Sequence, residues 1–209
     1  MRTVSHLLGG AQLLGSPRFD DPRGTFAIPY EAEAATALGL PERFVQDNHS
    51  ISRLPGTIRG IHLQLPPFEQ GKLVRVLRGR IFDVVVDLRP DSPTVGQMAT
   101  VELSGDEPSL LWVPRGFGHA FCTLETDTEV FYKVDAPYRP EAELSVAWND
   151  PGLAIEWPVD GDEAVLSDKD RMGLSLTEAL EAIDSALEVV DGGRPKVAPG
   201  GPEQLRSLR

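Results

Sequence analysis

Cysteine, lysine and long apolar runs are all scarce in this chain of 209 residues. The lone cysteine, Cys122, has no partner for an internal disulfide, so a disulfide framework is excluded and a reducing compartment is expected. Within HAFCTL it reads as a small buried hydrophobe. No apolar stretch approaches the ~20 residues of a membrane span. The opening MRTVSHLLGGAQLL also lacks a long apolar core ending in a small-residue cleavage site. Neither membrane insertion nor secretion is therefore expected, and the expected location is the cytoplasm. Positive charge is short too: 20 Lys and Arg against 32 Asp and Glu leave a formal charge of −12. A nucleic-acid backbone needs a broad cationic footprint, which this balance excludes, whereas a small anionic ligand needs only a few placed cations. Only four residues are lysines, and Lys72, Lys133 and Lys169 fall in stretches singled out below on other grounds.

What is present is an ordinary soluble composition, 41% hydrophobic and 25% charged, in a length that suits one domain with an appendage. From about Gln46 to Trp157 short β-rich runs alternate with turn residues, and no helical periodicity interrupts them. MATVEL, SLLWVP, HAFCTL, TEVFYKV and LSVAW are candidate strands at spacings that suit a sandwich or jelly roll closed around its interior. KLVRVL and IFDVVVDL, joined through Arg78-Gly79-Arg80, read as a hairpin. Near the end, Ser175 and Glu178 form an S-x-x-E capping box. Leu176, Ala179, Leu180, Ile183, Leu187 and Val190 then mark one helical face. Gly192-Gly193 should stop this helix, and RPKVAPGGPEQLRSLR has no face to bury. The expected organisation is an all-β jelly-roll domain over 1–174, an amphipathic helix over 175–191 and a mobile tail over 192–209.

Four histidines are present, of which His6 lies in an apolar N-terminal strand while His49, His62 and His119 have polar neighbours. Strand alternation puts His62 and Gln64 of RGIHLQ on one face, with Ile61 and Leu63 packing on the other. A strand histidine is more often a packing residue than a catalytic one, so its companions matter. A metal site would use a His-x-His pair, but here the pair is His62-x-Gln64, and an amide is a poor transition-metal donor; no metal is expected. General acid–base chemistry fits better. His62 can accept a proton next to a carbonyl, a carboxylate such as Asp83 or Asp170 can orient the ring, Lys72 can stabilise an enolate and Tyr132 can return a proton. Each also has a plain structural reading: Lys72 as a guard at a strand edge, Tyr132 as an amphipathic wall residue, Asp170 in a solvated turn.

Eight blocks carry these residues in order from about Phe19 to Asp170: FDDPRGTF, QDNHSIS, RGIHLQLPPFEQGKLVRVLRGRIFDVVVDLR, SPTVGQ, WVPRGFGHAF, VFYK, WNDPGLAIEWP and LSDKD. Together they resemble the dTDP-4-dehydrorhamnose 3,5-epimerase family. The resemblance implies a cupin-type jelly-roll homodimer that inverts the carbons flanking the C4 ketone of a dTDP-4-keto-6-deoxyhexose without metal or other cofactor. It assigns His62 as base, Asp170 as its partner with Asp83 as the second candidate, Tyr132 as acid and Lys72 as enolate stabiliser. It places the nucleotide on Arg23, Gln46, Asn48, Arg59, His119, Tyr138, Glu143 and Lys169, with Tyr138 stacking on the base. Arg23 and Phe26 are expected to reach a neighbouring subunit's site through exchanged N-terminal strands. The chain departs from the family pattern at Ile28, where a glutamate is usual, at Ala120 in GHAF, and by one extra residue before Arg59; these changes are expected to reshape the sugar pocket. A single-site epimerase acting at C3 or C5 is the nearest alternative, while a silent nucleotide-binding cupin and a metal-dependent cupin require losses or donors not seen here.

Overall fold

The computed structural model describes residues 1–191, and its strands follow the apolar alternation of the sequence. In chain order they are β1 (Arg2–His6), β2 (Gln12–Gly15), β3 (Arg18–Asp21), β4 (Gly24–Ala27), β5 (Gln46–Ser52), β6 (Ile58–Gln64) and β7 (Lys72–Arg78). There follow β8 (Arg80–Asp87), β9 (Met98–Ser104), β10 (Ser109–Val113), β11 (Phe117–Thr123), β12 (Thr128–Val134) and β13 (Glu143–Ser145). Among the described residues there are also three α-helices, α1 (Ala32–Ala37), α2 (Asp168–Arg171) and α3 (Leu176–Asp191). Two antiparallel sheets form, one in the order β1-β2-β10-β7-β12-β5 and the other β13-β6-β11-β8-β9, while β3 and β4 make a separate hairpin. Most consecutive strands change sheet, which is the connectivity of a cupin-type jelly roll. Among the described residues no helix is long and apolar enough to cross a membrane.

The expected hairpin across Gly79 does not form. β7 pairs with β10 and β12, β8 pairs with β9 and β11, and Gly79 is the single residue between them. One residue is too short for an antiparallel return, so the chain turns the corner from one sheet to the other. Gly79 has φ +77°, and a Cβ there would run into Thr128 Oγ1, so only glycine fits.

The inner faces of the two sheets enclose Val74, Val76, Ile81, Val85, Leu111, Phe117, Phe121 and Val130, all buried. This apolar part of the interior leaves the part flanked by β5 and β6 to polar side chains. The outer face of the second sheet carries Ile61, Leu63, Val84, Val86 and Ala120, and α3 covers it with Ala179 and Ile183. The capping box is formed: Glu178 N–H donates to Ser175 Oγ at 3.3 Å, and Ser175 N–H donates to Glu178 Oε2 at 2.8 Å. Val190 does not join this face and is 48% exposed, because the helix runs on past the residues it covers. The segment expected to be a mobile tail, 192–209, lies outside the described residues. Cys122 is buried, as expected, and burial pushes its thiol up to about 11.

Truncating Ile183 to alanine removes a buried side chain at the helix–sheet contact and should cost about 2–4 kcal/mol. Urea unfolding at constant m-value would read this as a lower midpoint. An unchanged midpoint would mean that α3 unfolds separately from the sheets.

Candidate active site

Inward-facing positions along several strands supply the polar part of the interior. Alternation sends Gln46, Asn48, Ser50 and Ser52 of β5 inward while Asp47, His49 and Ile51 are exposed. His49 spends its ring outside on Glu129, 3.1 Å away. Lys72 continues the inward file of Val74 and Val76, and Tyr132 that of Val130. On β6 a bulge changes the count. His119 stands opposite His62 and Phe121 opposite Arg59, so three residues of β6 span the distance of two on β11. Arg59 and His62 therefore both face the cavity despite their odd spacing. Gly60 occupies the bulge at φ +121°, where an added Cβ would lie 2.6 Å from both the Ala120 Cβ and the His119 carbonyl oxygen.

Two adjoining lobes of about 270 and 290 Å³ share His62, Lys72 and Tyr132 in their walls. His62 Nε2 lies 2.5 Å from Asp170 Oδ1. Asp170 is only 4% exposed: it sits on the one-turn helix α2 against β6, where the Ser167 hydroxyl donates to Oδ2 at 2.7 Å. Burial would push the Asp170 carboxyl up, but hydrogen bonds from His62, Ser167 and the Gly60 N–H leave it below the usual range. Burial likewise lowers His62 below its ordinary value, against the pull of Asp170, so the ring is neutral at neutral pH. With Nε2 committed to Asp170, Nδ1 is the nitrogen left to take a proton.

Asp83 is not the partner of His62. It is fully buried on β8 and accepts from His119 Nε2 at 2.9 and 3.1 Å. Alternation on β8 and β11 points both side chains into the same interior, where the carboxylate is taken by His119, and burial raises the Asp83 carboxyl. The reading of Asp170 as a solvated turn residue is corrected by the same geometry.

Lys72 reaches across the cavity floor and donates from Nζ to the His62 carbonyl oxygen at 3.2 Å. Burial lowers its ammonium to about 8, while Asp83 and Glu143 pull the other way. Burial raises the Tyr132 phenol, which therefore carries its proton at neutral pH. At the mouth Tyr138 donates to Glu143 at 2.8 Å, Glu143 also receives Lys169, and Gln46 donates to Asn48 at 2.8 Å. Arg59 Nε donates to Ser52 Oγ at 3.2 Å in the other lobe. Gln64, the residue weighed against a metal ligand, donates to the Phe68 carbonyl at 2.6 Å and accepts the Arg139 N–H at 2.5 Å. Its amide thus ties two rim loops to β6 and is not presented as a donor to the cavity. Among the described residues no three His, Cys, Asp or Glu side chains converge as a metal site would need.

Four expected positions lie elsewhere. Arg23 and Phe26 stand on the β3–β4 hairpin, away from both lobes: Arg23 bonds Asp21, and Phe26 is 65% exposed beside Phe19. Ala120, expected to alter the sugar pocket, points into the outer cluster with Ile61, because alternation on β11 turns it away from His119. Ile28 follows the hairpin and lines neither lobe. The sequence reading passed over Ser50, Gln70, Phe121 and Ser167, which do line the lobes. For Ser50 the alternation of QDNHSIS was a usable signal.

The family model described as dTDP-4-dehydrorhamnose 3,5-epimerase matches residues 6–178. The dTDP-4-dehydrorhamnose 3,5-epimerase of Sinorhizobium fredii is 45% identical over 167 residues, covering 80% of this chain and 85% of that protein. The crystal structure of the dTDP-4-dehydrorhamnose 3,5-epimerase of Bacillus anthracis, with TDP and PPi bound, superposes with a TM-score of 0.81 at 45% identity. That match covers 83% of this chain and 98% of the other. A dTDP-4-dehydrorhamnose 3-epimerase of Streptomyces niveus is 39% identical over 163 residues, 78% of this chain and 77% of that protein.

Proposed function

The chain belongs to the dTDP-4-dehydrorhamnose 3,5-epimerase family, and we propose that it inverts C3 and C5 of dTDP-4-keto-6-deoxy-D-glucose in dTDP-L-rhamnose or related deoxysugar biosynthesis. The observation that carries this reading is the His62–Asp170 pair facing a cavity that it shares with Lys72 and Tyr132.

Carbons beside the C4 ketone are acidic because the carbanion is delocalised onto O4. His62 Nδ1 takes the proton, and Asp170 stabilises the imidazolium that results. The C–H electron pair becomes the C=C of an enolate whose negative oxygen is met by the Lys72 ammonium. Tyr132 returns a proton to the opposite face of the same carbon, which inverts it, and the sequence repeats at the second carbon. Each inversion leaves His62 protonated and Tyr132 as the phenolate, and proton exchange with solvent returns both to their starting forms before the second carbon reacts, with no oxidant or reductant. Arg59 and Lys169 supply positive charge for the diphosphate, and Gln46, Asn48, His119, Glu143 and Tyr138 complete the nucleotide-sugar contacts, with Tyr138 against the thymine.

The same proposal includes a homodimer in which Arg23 and Phe26 complete the neighbouring site. It is supported by the exposure of Phe19 and Phe26, 57% and 65%, on a hairpin that packs on neither sheet. Light scattering should give twice the 22.8 kDa chain mass; an active monomer would remove this part of the reading. A cytoplasmic location accords with the dTDP-sugar substrate.

Incubation with dTDP-4-keto-6-deoxy-D-glucose in deuterium oxide, followed by NMR, tests the function. Deuterium at both C3 and C5 with an L-configured product is the expected result, deuterium at one carbon would make the enzyme a single-site epimerase, and no exchange would exclude this substrate. The pH profile follows from the two bases. His62 must be neutral and Lys72 charged, so kcat/KM should rise through a value below 6.5 and fall as Lys72 deprotonates near 8. Lys72→Met should lower the plateau and remove the alkaline limb; a limb that persists would belong to another group.

A further inference from the structure

We infer that Ser50 is a substrate-contacting residue, whose hydroxyl hydrogen-bonds an oxygen of the hexose beside the reacting carbons. The inference rests on the epimerase reading above, which supplies the hexose. Among the described residues, Ser50 Oγ is the one buried side-chain polar atom of a non-exposed residue without a hydrogen-bond partner. Every other inward side chain of β5 is engaged: Gln46 with Asn48, and Ser52 with Arg59. Ser50 stands between them, opposite Val130, in the lobe that contains His62, Lys72 and Tyr132.

A buried hydroxyl without a partner costs about 1–3 kcal/mol. Such a cost is borne where a ligand supplies the missing partner, and the site then discriminates against ligands that lack it. The lobe's other polar groups near Ser50 include Arg59, Lys72 and Lys169, which only donate. Arg59 and Lys169 serve the diphosphate, so a sugar oxygen in this lobe meets the Lys72 ammonium, and Ser50 adds a group that can donate or accept, as a hexose hydroxyl requires. Along β5, Ser50 follows Gln46 and Asn48, which line the lobe containing Tyr138, the residue set against the thymine.

Binding of dTDP and of dTDP-glucose to the wild type and to Ser50→Ala, measured by calorimetry, tests the contact without turnover. Ser50→Ala should weaken dTDP-glucose by about ten- to fifty-fold while dTDP binds within twofold of wild type. The kcat/KM for the 4-keto substrate should fall by a similar factor. The melting temperature should be unchanged or higher, because a buried unpaired hydroxyl has been removed. Equal losses for both ligands would place Ser50 on the nucleotide and overturn the inference, as would unchanged dTDP-glucose binding. If the wild type fails to exchange the C3 and C5 protons, the epimerase reading fails, and the binding comparison still decides Ser50.

Discussion

Replacing His62 with asparagine should stop deuterium uptake at both C3 and C5, lowering exchange by about 10³–10⁴-fold. The size of the effect follows from the site: of the three side chains that the two lobes share, His62, Lys72 and Tyr132, the histidine is the base held on a buried carboxylate, whereas the second histidine, His119, held on Asp83, lines one lobe alone. Asparagine is preferred to alanine because it can still donate to Asp170. Alanine would leave that carboxylate buried beside an empty space, and its loss of activity would mix chemistry with instability. Thermal unfolding within a few degrees of wild type, together with abolished exchange at both carbons, is the expected pair of readings. Exchange that survives in His62→Asn at more than a tenth of the wild-type rate would falsify the assignment of the base.

Tyr132→Phe should separate the two halves of the reaction. The phenol is held protonated by burial and shares both lobes with His62, so its loss removes the donor and leaves the base untouched. Completed inversion is expected to fall by at least about 10²-fold, while deprotonation by His62, seen as deuterium washed into recovered substrate, stays within a few-fold of wild type. Chiral analysis of reduced products beside NMR of the remaining substrate gives both numbers from one incubation. A parallel loss of exchange and inversion would show instead that Tyr132 holds the substrate in place for the first step.

The strand pattern made the fold class legible, because inward and outward residues alternate with few interruptions over β5 to β12. It also placed His62 and Gln64 on the cavity side with Ile61 and Leu63 behind them, as the structure has it. Two features escaped it for one reason: strand pairing depends on the partner as well as on the run. Nothing local in KLVRVL-R-G-R-IFDVVVDL says that the second strand joins the other sheet. Strict alternation would likewise turn Arg59 away from His62, and only the bulge against β11 brings both inside. The choice between Asp83 and Asp170 was open for a similar reason. The two carboxylates sit in unrelated segments, and their distances to one ring are set by packing of α2 against β6 and not by spacing. Ser50 stood in plain view in QDNHSIS, but its lack of a partner is a property of the assembled cavity.

The single-residue corner at Gly79 also makes the two ends of the sandwich unequal. At that end the walls are stitched by the corner itself and by the short crossings 53–57 and 124–127, whereas the cavity mouth is bordered by the longer segments 65–71 and 135–142. Gln70 and Tyr138 of the longer pair line the lobe there, so ligand enters beside those segments. Both are moored to Gln64, through the Phe68 and Pro137 carbonyls and the Arg139 N–H. Gln64 is two residues from His62 on the same strand. The base and both rim segments are thus anchored on one short piece of backbone.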